Sequence, residues 1–596
     1  MWSSVVTPWS GKRNLLHLRT KNENGNENMN ENDIERIDKI ENENEIKNEG
    51  IYEKENDFFN PISRTLFTTR PSWCSFQGVT CRDSSGPSDF PSVISISLKG
   101  LQLSGTLPSS IGNFSSLISL DFSNNFLIST IPNSISNLIL LNYLSLSWNF
   151  ITGNIPSSIG SLSSLTNLQL YKNSLTGTIP NTISSLQLLN YLDVSSNKLD
   201  GTIPNEISSL TLLTQLMLGS NSLIGTIPIL LTSLQLIQSM NFRRNLLTGT
   251  IPNFLSNLIT LNSIDFGFNL LIGTIPNIFS NLKLLTKLSL ISNNFNGAIP
   301  SNIGTFTSLI FLDLSYTSLT GRIPDTIILL KNLNTLQLNY NQLRGTIPSQ
   351  IGNLILLQNL YLHSNFLTGI IPTNIGLLTI LEEMDLHSNN LTSIIPTEIV
   401  NLKKLTKLDL SLNSLKGTIP SNIGFLKSLY YINFYSNNLK GLIPNSISSL
   451  TVLQYLIINS NYITGSIPDL LGNCKLLYYL NIQSNSIMGK IPNNFNQLIL
   501  LQYAFLNNNL LSNTIPSSIS ILSKLLTLDL HNNYLTMGMN TNVPISTFPN
   551  SLLINGKLDV SQNCLIYIYN GITVLNDHCP PPTGEIKLKN KTEKLC

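Results

Sequence analysis

A chain of 596 residues is longer than one ordinary hydrophobic core supports, so it is built either from several domains or from a repeat array. Only 11% of its residues are charged against 41% hydrophobic, and 34 glycines and 28 prolines are spread along it, as in many short units closed by turns. A formal net charge of +2 excludes a strong electrostatic footprint for nucleic acid or an anionic membrane. No run reaches the roughly 18 apolar residues of a transmembrane helix.

In chain order, residues 1–60 come first. They are dominated by Asn, Glu and Lys, as in Glu41-Asn42-Glu43-Asn44-Glu45, and such a segment buries too little apolar surface to offset its ordering entropy. It is expected to be disordered, and Leu15-Leu16, followed by His17, Arg19 and Lys21, falls short of an export signal. Residues 61–92 carry Trp73-Cys74-Ser75-Phe76-Gln77-Gly78-Val79-Thr80-Cys81 and are read as an end cap. Residues 93–540 are a repeat with a period of 24. Residues 541–580 hold an irregular last repeat and a second cap, and residues 581–596 a tail ending at Cys596.

One unit shows the pattern: Leu141, Leu144, Leu146, Asn149, Ile151, Gly153, Ile155, Pro156, Ile159, Gly160, Leu162 and Leu165. The alternation Leu144-x-Leu146 predicts a short strand with one buried face, and Ile159, Leu162 and Leu165 suit a helical or 3-10 return onto the same core. Asparagine recurs every 24 residues from Asn125 to Asn533, broken only by Thr317, and proline recurs from Pro108 to Pro516 without a gap. The asparagine amide is expected to satisfy buried backbone groups where the strand ends, and Thr317 to do so less well. The glycine of Gly-x-Ile-Pro permits a tight path, and Ser129, Ser393 and Asn513 stand in its place in three turns. Cys474 occupies a leucine position and is expected in the core.

The motif Leu-x-x-Leu-x-Leu-x-x-Asn-x-Leu-x-Gly-x-Ile-Pro-x-x-Ile-Gly-x-Leu-x-x-Leu resembles the plant-type leucine-rich repeat of receptor-like kinases, receptor-like proteins and polygalacturonase inhibitors, over residues 71–580. The resemblance implies an α/β solenoid: a right-handed superhelix of about 20 coils, with a parallel sheet on the concave side, short helical or 3-10 segments on the convex side and an extra short strand after the asparagine. It also implies disulfides Cys74–Cys81 and Cys564–Cys579 in the two caps, hence an oxidising compartment, and an extracellular or cell-surface location despite the amino terminus. Sequons at Asn113, Asn390 and Asn590 agree with secretion. No Gly-rich phosphate loop or His-Arg-Asp motif accompanies the repeats, so the kinase half of the resemblance has no counterpart in this sequence.

Residues two, four and six before each asparagine are expected to point out from the concave face. There Tyr431, Tyr455, Tyr479 and Tyr503 fall in one column of four consecutive coils, beside Tyr435 and Phe505. A second group is Phe311, Tyr316, Tyr340 and Tyr361 with His363 and His387, the histidines near Glu383 and Asp385. The two histidines could sense pH or hold a metal, but read from sequence they are better explained as solvated surface residues. Trp148 with Tyr143 and Tyr171 makes a smaller patch, and Arg243-Arg244 is a basic pair able to meet an acidic partner. The aspartates at 121, 193, 265, 313, 385, 409, 529 and 559 share a column that structure explains better than binding. Asn533 to Asn563 is six residues longer than the period, and the insert holds Met537, Met539 and Asn540-Thr541-Asn542.

The expected function is a receptor-like recognition module that binds a protein or peptide ligand on its concave face, with a membrane co-receptor implied by family analogy. The alternatives are a secreted inhibitor of a cell-wall-degrading enzyme and an intracellular scaffold. Five histidines and no nucleophile or metal-ligand motif argue against an enzyme, a cofactor or a metal.

Overall fold

The computed structural model describes residues 74, 76–82, 92–277, 281–536, 557–561, 567–569 and 572–574. All lie in one unit, Thr69–Cys596. The segment 1–60, the insert at 537–550, Cys564, Cys579, Asn590 and Cys596 fall outside them.

Each coil contributes one strand of about three residues to a single 21-stranded sheet. Leu144 pairs with Leu168, and Leu168 with Leu192, so the register advances by one full period at each step until the last, where the insert makes Leu528 pair with Leu558, and the strands of this sheet run parallel. The one exception is Val79–Arg82, antiparallel to Ser92–Ser97. It occupies the amino-terminal edge, where unpaired N–H and C=O groups would otherwise be open to another chain. The disulfide Cys74–Cys81 ties this cap, as the resemblance implied.

The apolar columns form the core. Leu141, Leu144, Leu146, Ile159, Leu162 and Leu165 are all fully buried, and each such leucine contributes roughly 2 kcal/mol that no coil could secure alone. The return segment is 3-10 throughout the described coils: Ser157–Ser161 starts after the extended Pro156, and Ile159 N–H donates to Pro156 O at 3.0 Å. Extra short strands follow the asparagine in many coils, such as Thr152–Asn154 beside Ser174–Thr176. Cys474 is buried, with burial pushing its thiol up to about 12.

The asparagines lock neighbouring coils. Asn149 Nδ2 donates to Phe122 O (2.9 Å) one coil back and to Leu146 O (3.1 Å) and Ser147 O (3.2 Å) in its own coil, while Oδ1 accepts Leu127 N–H at 3.0 Å. Thr317 manages two bonds, to Leu314 O (3.1 Å) and to Asn341 Oδ1 (2.5 Å). The residue just before each asparagine has a positive φ, Trp148 at 54° and Tyr340 at 51° among them. Trp148, Tyr316 and Tyr340 therefore stand on a turn beyond the strand, off the three outward columns.

Candidate functional site

Because the register repeats every 24 residues, like residues in successive coils become side-chain neighbours at strand spacing. Tyr431, Tyr455, Tyr479 and Tyr503 are consecutive cross-strand partners, with ring centroids 5.7, 6.2 and 5.9 Å apart. Phe505 lies 5.6 Å from Tyr479, whereas Tyr435 is exposed and stands apart from the stacks. The field is wider than the sequence reading made it. Tyr478 sits 5.6 Å from both Tyr455 and Tyr503, and Tyr430 lies 6.5 Å from Tyr431. These two belong to the column seven before the asparagine, which alternates Tyr430, Gln454, Tyr478 and Gln502 and could have been found as a two-coil repeat.

The second group is a stack in its own right. Tyr316 and Tyr340 lie 4.2 Å apart, Tyr340 meets His363 edge-on at 5.0 Å, and His363 and His387 stack at 4.2 Å and 14°. Tyr361 donates its hydroxyl to Glu383 Oε2 at 2.8 Å. Phe311 lies apart from these rings, with Lys287 Nζ 5.8 Å from its centroid. The histidines are not solvated surface residues: both are half-buried, and that expectation is corrected. Their stacked rings shield each other, and Asp385, itself buried, holds one of them.

His387 Nδ1–H donates to Asp385 Oδ1 at 2.5 Å, and Lys407 Nζ reaches Asp385 Oδ2 at 3.2 Å. Burial works against charge on Asp385, yet the His387 hydrogen bond and the nearby positive groups outweigh it and hold the carboxyl well below the usual range. Burial likewise opposes a charged His387, but Asp385 overcomes it and raises the imidazole pKa. His363 has no such partner, and burial pushes it down to about 3. The two adjacent imidazoles are thus shifted in opposite directions. Lys407 also lies 5.8 Å from the Tyr431 ring, and Tyr431 in turn donates to Asp409 Oδ2 at 3.4 Å, which Asn433 Nδ2 joins at 2.9 Å. Burial, then the Asp409 charge, pushes the Tyr431 hydroxyl far up. Asp385 and Lys407 therefore join the two groups that the sequence left separate into one stripe from Tyr316 to Tyr503.

The remaining candidates are simpler. Trp148 is exposed, with Lys172 Nζ 3.6 Å from its ring centroid. Arg243 is already engaged, 4.4 Å over Phe268 and 3.9 Å from Asp265, and Arg244 lies 5.4 Å from the same ring. The aspartate column is structural as expected: Asp121, Asp193, Asp265, Asp313, Asp385, Asp409 and Asp529 each accept the backbone N–H two residues on, with Ser195 N to Asp193 at 3.0 Å. Asn113 and Asn390 are both exposed, as a sequon requires.

Comparison with known proteins follows this geometry. The leucine-rich repeat family models match residues 355–415 and 403–463, and the shorter single-repeat model matches 116–138, 140–162, 164–186, 188–210, 308–330, 332–354 and 476–498. No curated protein matches the sequence significantly. Among solved structures, the plant peptide hormone receptor RGFR1 in complex with RGF2 is 33% identical, with a TM-score of 0.74 over 83% of this chain and 84% of that one. The Arabidopsis receptor kinase HAESA ectodomain in complex with an extended IDA peptide hormone is 32% identical, with a TM-score of 0.74 over 83% and 82%. The ectodomain of GASSHO1/SCHENGEN3 from Arabidopsis thaliana, in complex with CASPARIAN STRIP INTEGRITY FACTOR 2, is 31% identical, with a TM-score of 0.67 over 86% and 72%.

Proposed function

The chain belongs to the plant-type leucine-rich repeat family, and on that premise we propose that it is a non-enzymatic, receptor-like recognition module that binds a peptide on the concave face from Tyr361 to Tyr503, flanked by Tyr316 and Tyr340 on the adjoining turns. The observation that carries this reading is the ring stacking across successive coils, from Tyr316 to His387 and again from Tyr431 to Tyr503, with Lys407 filling the one coil between. Tyrosines give large contact area at small entropic loss, with a hydroxyl to orient a ligand. A peptide lying along the solenoid axis would cross one coil every strand spacing and meet a ring at each one but that of Lys407. The peptide complexes of the similar receptors support the class of ligand.

The Cys74–Cys81 bond supports an oxidising, extracellular setting. Non-reducing mass spectrometry of native protein checks it, and free thiols at both positions would refute that setting.

The binding reading is tested by screening the full chain against a library of extended peptides and repeating the measurement with Y455A/Y479A. Binding should weaken at least tenfold, since two ring contacts of the better kind are worth more than about 1.4 kcal/mol. Unchanged affinity in a normally folded double variant removes the tyrosine field from the site.

A further inference from the structure

The stripe carries a second chemistry that peptide stacking does not use. We propose that His363, Asp385 and His387 form a site for a late first-row divalent cation, of which zinc is the working example, with open coordination positions toward the concave groove. This stands independently of the peptide-binding reading.

Three observations converge. First, the donor set and its placement are those of a metal site. His363 and His387 occupy the same place in adjacent coils, and Asp385 lies two residues before His387 on the same face. One ligand atom from each lies within 4.8 Å of the other two. An ion held at about 2.1 Å from each ligand needs them some 3.3–4.2 Å apart, so the set has to adjust by side-chain rotation, with His387 Nδ1 and Asp385 Oδ1 opening from their present 2.5 Å. The histidine rings must splay from their 14° stack to do so, because parallel rings aim their lone pairs side by side. Two imidazoles and one carboxylate are a borderline nitrogen and oxygen set, suited to zinc and its neighbours rather than to magnesium or calcium.

Second, the local charge is unbalanced. Glu383 is paired across strands with Lys407, and Asp385 with Asp409, so three carboxylates on two adjacent strands share the Lys407 ammonium and the His387 imidazole that sits on Asp385. A dication between Asp385 and the imidazoles offsets the excess negative charge. The proton now shared by His387 Nδ1 and Asp385 Oδ1 leaves to solvent when the ion takes its place, while Lys407 stays on Oδ2.

Third, the surroundings are ordered for the purpose. Tyr340 packs edge-on against His363, and Tyr361, held by its hydrogen bond to Glu383, walls the same cluster. His363 Nδ1 lies 3.3 Å from Ser364 Oγ, a contact that engages that nitrogen and leaves Nε2 for an ion.

Isothermal titration of the EDTA-stripped, desalted full chain tests the site, with zinc chloride as the probe and magnesium chloride as the control. Wild type should take up one more equivalent of zinc than H363N/H387N and no magnesium, with circular dichroism confirming that both are folded. Taking the difference removes any zinc bound by cysteines elsewhere. K407M should bind zinc several-fold tighter, because the competing ammonium is gone; a purely structural stack and ion pair predicts no such gain. If the double variant does not fold, H363N alone should weaken zinc binding at least tenfold. Equal zinc uptake by wild type and the folded histidine variant, or no tightening in K407M, overturns the assignment.

Discussion

At the scale of single residues, the asparagine column shows how much one side chain secures. Asn437 donates to Leu410 O (2.9 Å), Phe434 O (3.3 Å) and Tyr435 O (3.4 Å), and accepts Leu415 N–H at 2.9 Å. N437A leaves these buried groups without partners and should destabilise the protein by at least about 3 kcal/mol in denaturant unfolding. The converse holds at the one irregular place. T317N should add bonds to Leu290 O and Phe295 N–H, by analogy with the neighbouring coils, and stabilise by about 1 kcal/mol in the same assay. Asp313 gives a pH test. Burial, only partly offset by its Ser315 hydrogen bonds, pushes its carboxyl up to about 6 from 3.8. A raised carboxyl binds a proton more tightly in the folded state, so its contribution is fully present below pH 3.8 and is lost as pH rises through about 6. D313N should therefore raise the melting temperature relative to wild type at pH 7.5 and bring no such gain at pH 3.5.

At the scale of the element, the turn before each Ile-Pro is where backbone and side chain compete. Gly201 has φ +72°, and a Cβ there would meet Thr178 Cγ2 at 2.7 Å. Ser393 and Asn513 keep the positive φ, at 78° and 65°, whereas Ser129 does not and instead accepts Leu107 N–H on its hydroxyl. S393G should consequently stabilise by about 1 kcal/mol, measured by thermal unfolding, since only glycine holds that conformation without strain. The strand, the return segment and the identity of the turn residues were all legible in the sequence, because each follows from a local rule repeated at a fixed interval. The choice of 3-10 over α-helix was not. Nor was the different path at Ser129, which depends on a hydroxyl finding a backbone donor in the preceding coil.

At the scale of the whole molecule, a fixed period makes the coils interchangeable modules. Deleting Lys198–Asn221, one full period, should leave cooperative unfolding and strand content per coil unchanged by circular dichroism. Deleting the twelve residues Lys198–Ser209 puts core leucines out of phase and should abolish the cooperative transition. The candidate site was legible only in part for a related reason. The tyrosine column could be read because it obeys the period. The link through Asp385, Lys407 and Asp409 could not, because it depends on how far a lysine reaches between columns. The half-buried state of His363 and His387 was hidden likewise, since it comes from rings covering one another and not from any residue's own place on the strand.

The 24-residue advance of the sheet register, kept from Leu120 to Leu528, also makes the concave face a graduated scale. Tyr143 and Tyr431 share a column and are separated by a whole number of coils, so unequal crossing-over between repeats would shift one against the other in steps of about 4.8 Å without altering either. A gene of this kind can change the spacing between two surface features by counting repeats, leaving the chemistry at both ends of the scale untouched.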